Sequence, residues 1–349
     1  MSGGESGAVP TAQVRIDHHS AVHLAADVAR RTARRCGLDG SLPEQAAAVA
    51  SELASNLDKH AGDGVVYLQP LPLGEGFEVL AVDRGPGMGE LQRCLADGYT
   101  TTNTLGTGLG AVSRVADAFV IRTRVPDGTV ASARLTPRGG GSPAGGSAEP
   151  SGPDGLPGHR VGAICLPAEG EEHCGDGWSL HATAGQVTAV VVDGLGHGEA
   201  AARATRVALR IAREAPESAL PELMTQMHRA LRHTRGAAVG LVRLEPGRLH
   251  FCGVGNVRVC VLHHDRTPRR IESRPGIVGW NLPTPHVRTE PLAPDRMAVV
   301  HTDGIQARWA HDPSRFLSGL PAPLLPAALA HRHRRLRDDA TALALTGLR

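Results

Sequence analysis

Residues 187–198 read VTAVVVDGLGHG. Six small or β-branched side chains run together, Asp193 follows, and glycines stand at 194, 196 and 198 around His197. A short apolar run of this kind, bounded by turn residues, is the pattern of a strand covered on both faces. Asp193 stands at its end, and a helix-compatible stretch over 199–214 begins at once. Three further acidic sites repeat the arrangement. Asp176-Gly-Trp178 precedes a strand, Asp303-Gly304 follows the apolar stretch Met297–His301, and Asp338-Asp339 comes just before the last apolar run. Eight of the 18 aspartates precede glycine, so the dipeptide alone signals a turn. The strand-end context is what singles these out.

Working outward, strands are expected over 161–166, 178–183, 187–192, 237–244, 248–252, 258–262, 297–301 and 341–345. Helices are expected over 199–214, 219–233 and 322–332. Runs of strands around two consecutive helices predict two packed sheets with helices outside. Carboxylates converging at strand ends repel, at about 4 Å by several kcal/mol per pair for an effective dielectric near 20. Hard divalent cations relieve this, and oxygen-only ligands favour Mg²⁺ or Mn²⁺ over zinc. Unrelated strand-end turns remain the alternative.

Upstream, residues 139–158 hold fifteen Gly, Pro or Ser in twenty positions, the composition of a flexible linker. It divides the chain into domains at 1–137 and 159–349, with 138–158 between them. In the first half, Ser20 is placed to cap a helix to Cys36 that Gly37 stops, and Ser41-Leu-Pro-Glu44 reads as a capping box for a helix to His60. Strands at 64–69 and 77–83, a long loop over 84–106, a helix near 108–116 and strands at 118–125 and 129–135 complete an α+β helix-over-sheet sandwich. Glu52 and Asn56, four apart, share one helix face. Asp83-Arg-Gly85-Pro-Gly87 ends a strand in a turn whose glycines admit a flat ring, beside a carboxylate that can accept from an exocyclic amine. Gly106-Thr-Gly108-Leu-Gly110 opens a helix, and backbone N–H groups there suit phosphate.

Composition narrows the classes. The 349 residues carry a net charge of +2, 41% hydrophobic and nine aromatic residues, which argues against general nucleic-acid binding, a membrane-surface role and base-stacking modules. No apolar run approaches the roughly 20 residues of a spanning helix. The amino terminus does not read as a signal peptide, and six cysteines without a Cys-x-x-Cys pair read as reduced thiols, so a cytoplasmic location is expected.

The three motifs of the first half, in fixed order, resemble the GHKL ATPase superfamily over residues 12–135. Asp83–Gly87, Asp97-Gly-Tyr-Thr100 and Leu105–Gly110 are similar to the anti-sigma-factor-type serine kinases, in particular RsbT-like switch kinases. The resemblance implies a Bergerat-type ATP site. There Glu52 would be the catalytic base or water-positioning carboxylate, and Asn56 would ligate Mg²⁺. Asp83 would bind the adenine amine, Gly85 and Gly87 would shape its pocket, and Gly106, Gly108 and Gly110 would wrap the phosphates. The segment Thr100–Thr104 departs from expectation for a phosphoryl-transfer lid, carrying no Lys or Arg.

In the second half, Gly175–Trp178, Val192–Gly198, Gly253-Val-Gly-Asn256, His301-Thr-Asp-Gly304 and Arg337-Asp-Asp-Ala-Thr341 resemble the SpoIIE-type metal-dependent Ser/Thr protein phosphatases over about 160–346. The short form most resembles the RsbX-type phosphatases. The resemblance implies an α/β/β/α sandwich holding two Mn²⁺ or Mg²⁺. Asp193 would bridge both metals as the central catalytic ligand, with the Gly194 carbonyl beside it. Asp303 and Asp338 would complete one shell and Asp176 would serve the other. Asp339 is the lesser ligand of its pair, Gly253 and Asn256 shape a turn, and His197 has a supporting role. The basic run His331–Arg337 reads as a solvated helix end.

Two readings of the whole follow. In one, a kinase half and a phosphatase half act in opposition on one partner class, by resemblance a STAS-domain anti-sigma antagonist or stressosome-like protein. In the other, the first half is a nucleotide-gated binding module and only the phosphatase is an enzyme. A metal-binding scaffold without activity is a weaker third.

Overall fold

The computed structural model describes residues 10–89, 108–137, 160–183, 185–262 and 267–349. The chain forms two compact units, one of them Thr11–Gly152 and the other containing Pro153–Arg349.

In the first unit, β1 (Ala12–Ile16) leads into α1 (Ser20–Arg35) and α2 (Leu42–His60). Then come β2 (Gly64–Pro70), β3 (Phe77–Val82), α3 (Gly108–Val115), β4 (Ala118–Arg124) and β5 (Gly128–Leu135). The strands make one antiparallel sheet in the order β1-β2-β3-β5-β4. The helices pack on one of its faces. Val66, Leu68, Val79, Ala81 and Ala133 share a core with Ala25, Ala29, Val49, Leu53, Leu57 and Val112. Alanines on α1 and α2 let the two helices lie close together. Alternation sends Glu78 to the opposite face, where its buried carboxylate accepts from Arg134 Nε (2.7 Å), Ser132 Oγ (2.7 Å) and Gln69 Nε2 (2.9 Å).

The start of α1 differs from the sequence reading, and that of α2 agrees in place but not in its capping contacts. Ser20 lies inside α1, its hydroxyl 3.2 Å from His18 Nδ1, and the N-cap is His19. Ser41 is the N-cap of α2, with Pro43 in the first turn, but the capping box is not made. Glu44 turns instead to Arg30, 2.8 Å away on α1. A charge-assisted bond between helices outcompetes the local cap.

The second unit runs β6 (Val161–Leu166), β7 (Asp176–Thr183), β8 (Gln186–Gly194), α4 (Glu199–Glu214), α5 (Leu220–Leu231), β9 (Ala237–Glu245), β10 (Arg248–Val254) and β11 (Arg258–Leu262). It continues with β12 (Arg269–Glu272), β13 (Arg288–Pro291), β14 (Met297–His301), a 3₁₀ turn (Ala307–Ala310), α6 (Arg315–Ser318), α7 (Leu325–His333) and β15 (Ala340–Thr346). Two antiparallel sheets result, β13-β10-β9-β8-β7 and β12-β11-β14-β15-β6. The first is covered by α4 and α5, through Val190, Val192, Val239 and Leu241 against Ala208, Leu209, Met224 and Met227. The second is covered by α7, and β7 meets β6 and β15 where the sheets face each other. This is an α/β sandwich of two five-stranded sheets with helices on their outer faces. The edge strands β12 and β13, the 3₁₀ turn and α6 escape the sequence reading. Each is only four residues long, too short for periodicity to register. The five described cysteines are free thiols. Among the described residues, no helix is long and apolar enough to cross a membrane.

Candidate functional site

The register of β7 and β8 places Asp176 directly opposite Asp193, at the end of the first sheet. Asp303 follows β14 and Asp338 precedes β15, strands that pair with each other in the second sheet. The two sheets thus bring four distant acidic residues into one basin, close enough to perturb one another. Burial first, with Asp303, Asp338 and Asp339 adding to it, pushes the Asp193 carboxyl up to about 7, although the hydrogen bond from Asn256 pulls it down. Asp176 is raised well above the usual carboxylate range, chiefly by burial and then by Asp193. Burial, Asp303 and Asp339 raise Asp338.

Supporting contacts fix the basin. Thr302 Oγ1 donates to Asp176 Oδ2 at 2.7 Å, and Asn256 Nδ2 donates to Asp193 Oδ2 at 2.8 Å. Both are missed by the sequence reading, which assigned Asn256 to a turn. Only the tertiary approach of the β10–β11 turn to the end of β8 brings it to Asp193. Asp339 spends its two oxygens on the backbone N–H groups of Ala168 (2.8 Å) and Gly175 (2.9 Å). The Gly175 carbonyl in turn accepts from the N–H of Gly194, at 3.0 Å, and from the Thr205 hydroxyl. A Cβ at Gly194 would run into the Ala201 carbonyl, so only glycine lets α4 lie this close to Asp193. His197 is exposed and paired with Glu171 at 2.9 Å. The basic run His331–Arg337 is more than a solvated end. Arg332 lies over the Phe316 ring, Arg334 donates to the Pro167 carbonyl, and the Arg335 N–H holds the Gly304 carbonyl at 2.8 Å. The run therefore clamps the turn that carries Asp303.

Among the described residues, no three His, Cys, Asp or Glu side chains are gathered tightly enough to cage an ion as they stand. The donor set nonetheless fits hard divalent cations. It is all oxygen, its carboxylates repel one another, and Asp176 Oδ1 is buried with no hydrogen-bond partner.

In the first unit, Glu52 and Asn56 lie on α2, and the loop after β3 packs on the carboxyl end of that helix. A Cβ at Gly85 would sit 3.0 Å from the His60 carbonyl. Asp83 is buried, and its Oδ1 accepts from the N–H groups of Gly85 (2.7 Å) and Thr129 (3.2 Å). Gly87 has φ +76° and would bring a Cβ to 2.7 Å from the Arg124 carbonyl. Asn56 Nδ2 is buried with no partner, which leaves the amide able to turn its oxygen toward a cation. Gly108 and Gly110 lie in the first turn of α3, whose Leu109 and Val112 join the core that also contains Leu53 and Leu57. Gly106, the segment Thr100–Thr104 and Asp97–Thr100 lie outside the described residues.

Residues 183–346 match the family described as Stage II sporulation protein E (SpoIIE). The chain is 29% identical over 118 residues to the serine/threonine-protein kinase RsbT of Bacillus subtilis (strain 168), a match covering 33% of this chain and 89% of that protein. It is 27% identical over 100 residues to the phosphoserine phosphatase RsbX of the same organism, covering 28% of this chain and half (50%) of RsbX. The structure of RsbX in complex with magnesium aligns with a TM-score of 0.45 at 18% identity, over 52% of this chain and 92% of that one. The residues matched by the family model lie within the second unit.

Proposed function

We propose that this chain is a bifunctional partner-switching regulator. Its second unit hydrolyses phosphoserine or phosphothreonine on a protein. Its first unit binds ATP·Mg²⁺ and phosphorylates the same class of partner. The observation that carries the phosphatase reading is the basin in which Asp176, Asp193, Asp303 and Asp338 meet from two sheets. Asp193 and the Gly194 carbonyl, with Asp303 and Asp338, would hold one Mn²⁺ or Mg²⁺, and Asp193 with Asp176 the other. Two such cations acidify a water and neutralise phosphate oxygens. The chain's own residues supply orientation. Asn256 fixes one Asp193 oxygen, Thr302 fixes one Asp176 oxygen, and Asp339 locks the backbone beneath them.

For the first unit, the similarity to RsbT supports ATP-dependent transfer to a serine or threonine. Asn56 would hold Mg²⁺, Asp83 the adenine amine, and Gly85 and Gly87 the ring edge. Gly106, Gly108 and Gly110 would hold the phosphates, and Glu52 would take the proton from the attacking hydroxyl. The partner class that the resemblance to RsbT and RsbX implies is a STAS-domain anti-sigma antagonist. One observation favours a second reading, in which the first unit is a nucleotide-gated docking module. Thr100–Thr104 offers no cation to offset the charge that phosphoryl transfer concentrates.

The deciding experiment incubates the full chain and its Asp193→Ala form with γ-labelled ATP, Mn²⁺ or Mg²⁺, and purified STAS-domain proteins. Label that accumulates on a partner only with Asp193→Ala, and is lost on adding Asn56→Ala, establishes opposed activities. ATP binding without label transfer establishes the docking module. Wild-type phosphate release from Asp193→Ala would remove the two-metal assignment.

A further inference from the structure

The rim of the carboxylate basin carries two groups that the phosphatase chemistry above does not use. The loop Asp193–Gly198 is tied to the start of β9 by a hydrogen bond from the Leu195 N–H to the Gly236 carbonyl, at 3.1 Å. The next residue, Gly196, faces the Arg235 guanidinium, since a Cβ there would lie 2.9 Å from Arg235 Nη1. Arg235 is exposed and, among the described residues, has neither an ion pair nor a hydrogen-bonded partner. The nearby acidic side chains are engaged elsewhere, Glu171 with His197 and Glu199 with Arg206 and His173. Arg235, three residues before the register partner of Asp193, thus offers an unpaired guanidinium to an incoming anion beside the loop that follows Asp193.

The second group is Trp280. At 65% exposure it is the most exposed large apolar side chain among the described residues, whereas Trp178 and Trp309 are buried. Its ring is not loose. Nε1 donates to the Thr234 carbonyl at 3.3 Å. The surrounding segment is pinned by paired bonds between Ala237 and Val278 (3.0 and 2.9 Å) and between Ile277 and Asn281 (3.0 and 2.9 Å). The Gly279 N–H adds a bond to His228 Nδ1 at 2.9 Å. A Cβ at Gly236 would lie 3.4 Å from Trp280 Cδ1, so Trp280 packs beside the residue that follows Arg235. Tryptophan and arginine are both residue types enriched where a few side chains carry most of the binding energy in protein recognition.

We propose that Arg235 and Trp280 form the substrate-reading rim of the phosphatase. Arg235 takes non-bridging oxygens of the phosphoserine or phosphothreonine. Trp280 covers an apolar side chain that neighbours the phosphorylated residue in the substrate protein. The inference rests on the phosphatase reading and adds to it a preference for phosphoproteins with an apolar flank.

The test uses the full chain with Mn²⁺ and two probes, free O-phosphoserine and a decapeptide with one phosphoserine between leucines. Trp280→Ala should raise KM for the peptide about tenfold and leave O-phosphoserine hydrolysis unchanged, with Trp280→Phe restoring most of the loss. Arg235→Ala should raise KM for both probes about tenfold, with partial rescue in Arg235→Lys. Peptide added to the Asp193→Ala chain should shift tryptophan emission, and Trp280→Phe in that background should abolish the shift. Peptide kinetics within twofold of wild type for Trp280→Ala, or O-phosphoserine kinetics unchanged by Arg235→Ala, would overturn the corresponding half. A changed elution volume for Trp280→Ala with unchanged peptide KM would make the indole a contact between copies and overturn its role here. If wild type hydrolyses neither probe, the phosphatase reading falls, and the emission titration still decides whether the rim binds the phosphopeptide.

Discussion

Asp193 concentrates the electrostatics of the basin. Its carboxyl is pushed up to about 7, whereas in the unfolded chain it titrates near 3.8. The folded, metal-free domain therefore binds a proton that the unfolded chain has lost between those two values. The resulting stability is complete below about 4 and is lost as pH rises through 7. Asp176 and Asp338 are raised too and act in the same direction. His301 acts the opposite way. Burial pushes it down to about 4, so it opposes folding as pH falls below 6.5. Asp193→Asn keeps His301 and removes one raised carboxyl. In EDTA it should melt several degrees above wild type at pH 8 and converge with it near pH 4, read by thermal unfolding. Mn²⁺ affinity of the wild type should tighten as pH rises toward 7 and level off above it, since binding displaces the proton. Calorimetric titration across pH measures this.

Asp339 differs in kind from its neighbour Asp338. Its oxygens satisfy two buried backbone N–H groups, so Asp339→Ala leaves both unpartnered, at a cost of about 3 kcal/mol. For a domain of this size that lowers the melting temperature by roughly 6–12 °C. A melting curve unchanged in Asp339→Ala would contradict this reading. Adjacent identical residues have different uses here: Asp338 sits in the bend before β15, and Asp339, the last residue before the strand, is buried and bonded to backbone.

At the scale of elements, the sheet of the first unit shows how alternation divides its work. Phe77 and Val79 face the helices, and Glu78 between them faces the other way with Arg134 and Gln69 beside it in register. Three donors converge on this one buried carboxylate, so Glu78→Gln turns one acceptor into a donor facing Gln69. The change should cost about 3 kcal/mol. Hydrogen exchange at the β3 and β5 amides of the full chain should quicken in Glu78→Gln. Unchanged protection there would show that the network does not pin these strands. In the second unit the paired ends of β7 and β8 position the two carboxylates of the proposed metal site. Register alone sets Asp176 opposite Asp193.

Over the whole molecule, the two units differ in fold, and the residues proposed for each site lie wholly within one unit. Their chemistry should therefore be separable by single substitutions in the full chain. Asn56→Ala should weaken binding of a fluorescent ATP analogue at least about tenfold while leaving Mn²⁺-dependent phosphate release intact. Asp193→Ala should do the reverse. Loss of both functions in either variant would show that the sites are coupled.

The amino-acid sequence by itself determined the alternation of apolar strands and amphipathic helices, and with it both sandwiches. Apolar periodicity is a local property, legible wherever an element spans several residues. It also determined which aspartates end strands, because a carboxylate after an apolar run marks the point where the chain leaves the core. The N-cap of α1, the contacts of Glu44, the four-residue edge strands and the partners of Asp176 and Asp193 were decided only in the tertiary structure. Glu44 pairs with Arg30 because the neighbouring helix brings a guanidinium within 2.8 Å of it. Asn256 and Thr302 reach their carboxylates from other strands, contacts between residues 63 and 126 positions apart. The rise in the Asp193 pKa comes from burial and from charges that meet only when two sheets pack. Long-range approach and the exclusion of water depend on every element at once, and no local stretch of sequence encodes them.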